Sequence, residues 1–196
     1  MNIFLIRHTE IYNPGKLCYG QSEIPLAENF TSHFDWLSDT LEHLPKEDTV
    51  YYSSPFRRCT KLASYLSNDK YVTDKRLSEL NFGKWEMQAW NEIKRKDLDK
   101  WMEDFVGYKI PGGENFTALY KRCIDFYSSL LNSEIENHII VTHAGVVRSI
   151  LAYILDFPLK KAFDLEISYS SISKITYNDN FQKSKIQFIN RTQQIL

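Results

Sequence analysis

The sequence predicts an α/β protein, a three-layer α/β/α sandwich built on a mostly parallel central sheet. Three observations carry that prediction. Strand-like and helix-like segments alternate from the first residues to residue 155, the pattern of a parallel sheet crossed over by helices. The run HIIVTH at 138–143 is almost continuously apolar, as in a strand covered on both faces. Strand ends run directly into turns or helices, where open α/β sheets place their ligands.

The elements follow in order. Residues 2–7 (NIFLIR) form a short apolar strand, and Asn13-Pro14-Gly15 is a loop signal. Phe30, Phe34, Leu37 and Leu41 have helical spacing and predict a helix over 28–44. TVYYSS at 49–54 is a second strand that stops at Pro55, and FRRCTKLASYL at 56–66 is the helix after it. YVTD at 71–74 is a third strand, and 86–106 is predicted as an amphipathic helix carrying Trp90, Ile93, Trp101 and Phe105. Pro111-Gly112-Gly113 breaks the chain before a helix at 115–132. The strand at 138–143 leads directly into a helix at 144–155, and strand-like stretches at 170–177 and 185–190 form a hairpin or edge strands. The whole, 1–196, is expected as one domain, with 80–113 as an insert over the active edge because it is too long for one crossover.

Composition limits the function. At 196 residues, with 43% hydrophobic and 25% charged residues, the chain is an ordinary globule that can bury a sizeable core. A net charge of −1 gives no reason to expect nucleic acid or a membrane as partner. No stretch approaches a membrane span, and Asn2–Ile6 is too short for a signal peptide. Cys18, Cys59 and Cys123 are widely spaced, which suits reduced thiols and a cytoplasmic protein.

The chemistry collects at strand ends. The first strand ends in Arg7-His8, the second is followed by Arg57-Arg58, and the strand at 138–142 ends at His143 before a helix N-terminus. Guanidinium groups match phosphate oxygens in charge and shape, and the amides of a helix start add to an anion site. The pattern therefore implies a phosphate pocket, and a neutral His8 there is a candidate nucleophile toward phosphorus. Glu79, among Leu77, Leu80 and Phe82, is the candidate proton donor to the leaving oxygen, with Glu86 and Glu114 as competitors. No metal is expected, because the arginines would repel one, and no cofactor is implied.

These residues resemble the histidine phosphatase superfamily, with its phosphoglycerate mutase-like fold. Arg7-His8-Thr9, SSPFRRCTKLA, LSELNFGKWE and VTHAGVVR match the family's segments in its order over residues 3–148. The resemblance implies a metal-independent phosphomonoesterase acting through phosphohistidine. His8 would be the nucleophile, Glu79 the acid, and Arg7, Arg58 and His143 the phosphoryl ligands. A narrower resemblance, through LCYGQSEIPLAENF, PGGENF and Trp101, is to the alpha-ribazole phosphatases of cobalamin biosynthesis. It implies alpha-ribazole 5′-phosphate as substrate, with Ala144, Tyr19, Gly20 and Glu114 as further contacts. The alternatives are another small phosphorylated metabolite, such as a sugar phosphate, or a non-catalytic phosphate-binding scaffold. Thr9 and Ala144 replace family glycines, and Pro14 stands where relatives have a phosphate-binding asparagine, so that contact is not carried to Asn13.

Blander readings apply to the neighbours. Adjacent helical residues point ~100° apart, so one arginine of the pair faces the pocket, and Arg57 is assigned to solvent. Arg148 is assigned a salt bridge, Glu86 a first-turn helix position, and Cys18 a small buried residue. Trp85, Trp90 and Trp101 are assigned to core rather than to stacking on a ligand, and His33 and His43 to the surface.

Overall fold

The structure is a computed structural model that describes residues 1–193, so the last three residues of the expected 1–196 domain lie outside the described residues. Its strands are β1 (Asn2–Arg7), β2 (Thr49–Ser53), β3 (Val72–Thr73), β4 (Asn137–Thr142), β5 (Ile172–Asn178) and β6 (Lys183–Arg191). Its α-helices are α1 (Phe30–Leu41), α2 (Arg57–Ser67), α3 (Arg95–Glu103), α4 (Phe116–Leu130) and α5 (Ala144–Ile154). The sheet order is β3-β2-β4-β1-β5-β6. The first four strands run parallel, β5 is antiparallel to β1, and β5 and β6 form a hairpin.

The period-2 geometry of a strand explains why β1 is apolar throughout. Ile3 and Leu5 face the layer containing Leu119, Cys123 and Phe126 of α4 and Val146, Val147 and Ile150 of α5. Phe4 and Ile6 face Phe34, Leu37 and Leu41 of α1 and Cys59, Leu62 and Ala63 of α2. Residues of β4 divide the same way, Ile140 to one layer and Ile139 and Val141 to the other. Each such side chain contributes about 1.5–3 kcal/mol when fully buried, which outweighs the weak intrinsic strand preference.

Register then brings the chemistry together. Arg7 pairs with Thr142, and Ser53 with Val141. The ladder continues one step past each strand: the His8 amide donates to the Thr142 carbonyl at 2.9 Å, and the Ser54 amide to the Val141 carbonyl at 3.0 Å. Thus His8, Ser54 and His143 emerge side by side at the carboxyl edge.

The helix predicted over 86–106 is confined to Arg95–Glu103. Residues 86–94 are turns because their backbone bonds go to another segment. The Met87 amide donates to the Cys18 carbonyl and the Cys18 amide to the Gln88 carbonyl, each at 2.8 Å, and Met87 takes a left-handed φ of 64°. The two ends of the 80–113 stretch are stitched together: Lys84 N–H donates to Pro111 O at 2.9 Å and Glu114 N–H to Asn81 O at 3.0 Å. No helix among the described residues is long and apolar enough to cross a membrane.

Gly20 sits where this stretch meets the first loop, and a Cβ there would lie 1.9 Å from the Leu80 carbonyl oxygen. The backbone itself would have to move. Gly20→Ala is therefore expected to cost about 1–3 kcal/mol, read as a lower urea midpoint at constant slope. An unchanged midpoint would contradict this packing.

Candidate active site

His8 and His143 meet edge-on, their ring centroids 5.2 Å apart, and both are almost fully buried. His8 Nδ1 lies 2.8 Å from the Thr9 carbonyl oxygen. A carbonyl only accepts, so Nδ1 carries the hydrogen and Nε2 keeps its lone pair. His143 Nε2 is 2.7 Å from Ser54 Oγ. Burial holds both imidazoles well below the ordinary histidine range, and the Arg58 and Arg7 guanidiniums push in the same direction. Both rings are therefore neutral at neutral pH, the state a nucleophilic imidazole requires.

The arginines are held by neutral oxygens. Arg7 Nη1 donates to the Ile167 carbonyl at 2.6 Å, and its guanidinium stacks 3.6 Å from the Tyr169 ring centre. Arg58 Nη1 donates to the Ser22 carbonyl at 2.9 Å and Nη2 to the Gly20 carbonyl, with the guanidinium over Phe56. Neither arginine is ion-paired among the described residues, and the Nε of each is buried without a partner there. Arg58 is completely buried while Arg57 is exposed, as the helical spacing requires.

Glu79 faces these groups from the next segment. One carboxylate oxygen accepts the Leu80 amide at 2.8 Å and the other the Gly145 amide at 3.1 Å. A Cβ on Gly145 would lie 2.2 Å from that carboxylate, so glycine in the first turn of α5 makes room for it. The main chain behind Glu79 is clamped by Arg122, which donates to the carbonyls of Arg76, Ser78 and Glu79 at 2.6–2.9 Å.

A cleft over His8 is lined by Arg7, Tyr19, Glu79 and Ala144 from the expected set. Arg58 and His143 are fully buried and do not line it; Arg58 instead borders a separate cavity with Arg57 and Lys61. Two expected substrate contacts are placed elsewhere. Glu114 is ion-paired with Arg122 at 2.6 Å and accepts the Asn81 amide at 2.9 Å, so its carboxylate supports the clamp behind Glu79. The Gly20 carbonyl points at Arg58, so this residue holds an arginine rather than lining the cleft. Glu86 accepts the Gln21 and Phe82 amides and is a loop organiser, not a helix-start charge. Asn13 spends both ends of its amide on Leu17.

Other neighbours differ from expectation too. Arg148 forms no ion pair among the described residues; it donates to the Leu165 carbonyl at 2.9 Å, lies over Phe163, and lines the cleft. Trp85 is core as expected, and Trp90 and Trp101 pack against the same core, with Trp90 also joining Leu80, Phe82, Phe116 and Phe163 in the apolar cleft wall. His43 is exposed, but His33 is half-buried with Nδ1 covered. Burial pushes all three thiols up to about 12, so none is a thiolate at neutral pH. Tyr169, Ser54 and Phe163 were not anticipated. The signal for Tyr169 was its place before β5, whose antiparallel pairing with β1 starts beside Arg7.

A sequence model of the histidine phosphatase superfamily (branch 1) matches residues 3–190. The chain belongs to this superfamily. It is 26% identical to a candidate phosphoserine phosphatase 2 of Hydrogenobacter thermophilus, covering 96% of this chain and 95% of that one. It is 27% identical to the adenosylcobalamin/alpha-ribazole phosphatase of Salmonella typhimurium, covering 95% of each. The crystal structure of the alpha-ribazole phosphatase from Shigella flexneri superposes with a TM-score of 0.87 at 23% identity, over 97% of this chain and 96% of that one. The α/β, mostly parallel, phosphoglycerate mutase-like architecture of the histidine phosphatases is thus the fold of this chain.

The depressed basicity of the two rings has a measurable sign. Their NMR signals are expected to stay those of neutral imidazole through pH 6, where a free histidine titrates with a midpoint near ~6.5. Below about pH 6.5 the unfolded chain binds protons that these native rings refuse, so unfolding becomes easier as pH falls. Protonation of either ring with the free midpoint would contradict the site's electrostatics.

Proposed function

We propose that this histidine phosphatase is a metal-independent phosphomonoesterase that hydrolyses alpha-ribazole 5′-phosphate. The observation that carries the chemistry is the His8 Nδ1 bond to the Thr9 carbonyl, which leaves the Nε2 lone pair free beside unpaired arginines. In the proposed mechanism Nε2 attacks phosphorus as the bond from phosphorus to the leaving oxygen breaks. Arg7, which lines the cleft, and the buried Arg58 and His143 beside His8 stabilise the charge on the equatorial oxygens. Glu79 gives its proton to the leaving oxygen, then takes one from the water that cleaves the P–N bond. Inorganic phosphate departs, and the Nε2 lone pair is restored.

The substrate assignment draws support from the cleft wall. Leu80, Phe82, Trp90, Phe116 and Phe163 offer flat and apolar surface next to the phosphoryl site. A leaving group that carries a planar benzimidazole suits that wall better than a bare sugar does. The Salmonella typhimurium relative carries the same activity in its name. In this reading the chain is one domain, its 80–113 stretch forms part of the substrate wall, and Tyr19 and Ala144 are further contacts. With its thiols reduced, the enzyme belongs in the cytoplasm.

The test is phosphate release from alpha-ribazole 5′-phosphate, phosphoserine, 3-phosphoglycerate, fructose bisphosphates, sugar phosphates and nucleotides, all in EDTA. The first substrate is expected to show the highest kcat/KM. His8→Ala is expected to lose about 10⁴-fold or more of the activity. Glu79→Gln is expected to lose about 10²–10⁴-fold of turnover with alkyl esters, whereas an activated aryl phosphate, whose leaving group needs no proton, is expected still to release its phenol in a stoichiometric burst before slow P–N hydrolysis. Equal rates across the panel would discard the substrate assignment, and turnover surviving in His8→Ala would discard the mechanism.

A further inference from the structure

We infer that Ser54 sets which nitrogen of His143 carries the proton, by donating its hydroxyl hydrogen to Nε2 and so making Nδ1 the N–H donor to the phosphoryl group. Ser54 is a positioning residue in this scheme, and the inference rests on the phosphatase reading above.

The two histidines are anchored by chemically different partners. His8 is held by a carbonyl, which accepts and can do nothing else, so its proton position is fixed. His143 is held by a hydroxyl, which can donate or accept, so its proton position depends on what the hydroxyl does. A neutral imidazole has one N–H. Phosphoryl oxygens only accept, so a neutral His143 helps them only if its proton sits on the nitrogen away from Ser54. That nitrogen is Nδ1, whose nearest protein partner is the Cys59 sulfur at 4.0 Å, beyond any strong hydrogen bond.

The surroundings allow the hydroxyl to donate. Ser54 is completely buried, so water does not compete for its hydrogen. Among the described residues its Oγ has only Nε2 and the Cys59 thiol as company. The thiol is protonated at neutral pH; its sulfur lies 3.5 Å from His143 Nε2 and donates to the Thr142 carbonyl at 3.6 Å, so the 2.7 Å contact from Ser54 is the short one at Nε2. The serine hydrogen is then free for Nε2. Burial and Arg58 keep His143 neutral, so it cannot hold two protons and avoid the choice.

The experiment combines a spectrum and a binding assay. Long-range ¹H–¹⁵N correlations on the labelled protein report the His143 tautomer, and orthovanadate serves as the oxyanion probe. Wild type is expected to show Nδ1–H. Ser54→Ala is expected to shift His143 toward Nε2–H, weaken vanadate binding about ten-fold or more, and lower kcat with a smaller change in KM. Ser54→Thr, which keeps the hydroxyl, is expected to restore all three. Ser54→Cys, a poor donor, takes the place of the alanine variant if that does not fold. Nε2–H in wild type overturns the inference, as does any hydroxyl-free variant that keeps its vanadate affinity within two-fold. Failure of wild type to bind vanadate or to hydrolyse any phosphomonoester would instead overturn the phosphatase reading, while the tautomer in the same sample still decides the role of Ser54.

Discussion

Two guanidiniums and two imidazoles share the end of one sheet with no carboxylate paired to either arginine among the described residues. Burying unpaired charge is costly, and the fold meets that cost with main-chain carbonyls rather than counter-ions. Gly20, Ser22 and Ile167 supply oxygens to the arginines, and Thr9 supplies one to His8. Carbonyl dipoles hold the groups in place and leave their net charge intact. The pocket is thereby built with a deficit of negative charge, which in the proposed mechanism a phosphoryl dianion fills. Burial, with the same field added to it, keeps the imidazoles unprotonated, so in the proposed mechanism one arrangement serves both the affinity for phosphate and the reactivity toward it.

Carboxylates have a different task in this molecule. Glu86 binds main-chain amides from the first loop and from Phe82, joining two segments 60-odd positions apart in sequence. Glu114 neutralises Arg122, whose guanidinium in turn grips three carbonyls around Glu79. Glu79 itself receives amides from Leu80 and from the first turn of α5. Its position is therefore determined from both sides: by α5, which also follows His143, and by the clamp from α4. Glu79 and His143 share one helix start, which fixes their separation without any direct bond between them.

Much of this was legible in the sequence. The apolar runs of β1 and β4 declared a doubly covered sheet, and register then forced Arg7, His8 and His143 to one edge. Helical geometry required that one of Arg57 and Arg58 turn inward, and the family resemblance pointed to Arg58. What was not legible depended on long-range backbone contacts. The carbonyl of Gly20, the placement of Glu114 beside Arg122 and the turns at 86–94 have no local signature, because their partners lie in other segments. A helical arginine such as Arg148 looks the same from sequence whether it meets a carboxylate or, as here, a carbonyl and a phenyl ring. Ser54 has no local signature either, because its contact with His143 exists only when the strand end of β2 is set beside that of β4.

The hold on Arg7 spans almost the whole chain: its acceptor, Ile167, is 160 residues away in sequence. Tyr169, stacked on the same guanidinium, comes just as late. A nascent chain thus makes His8, the proposed nucleophile, well before the groups that steady the adjacent arginine. Such non-local contacts slow folding, since loop closure must be met before they form. The centre of the sheet can assemble from β1, β2 and β4, but the phosphate pocket waits for the antiparallel hairpin to dock on β1. The hold on Arg7 therefore arrives with the segment that leads into β5, so a partly made chain carries the motif residues without the completed site.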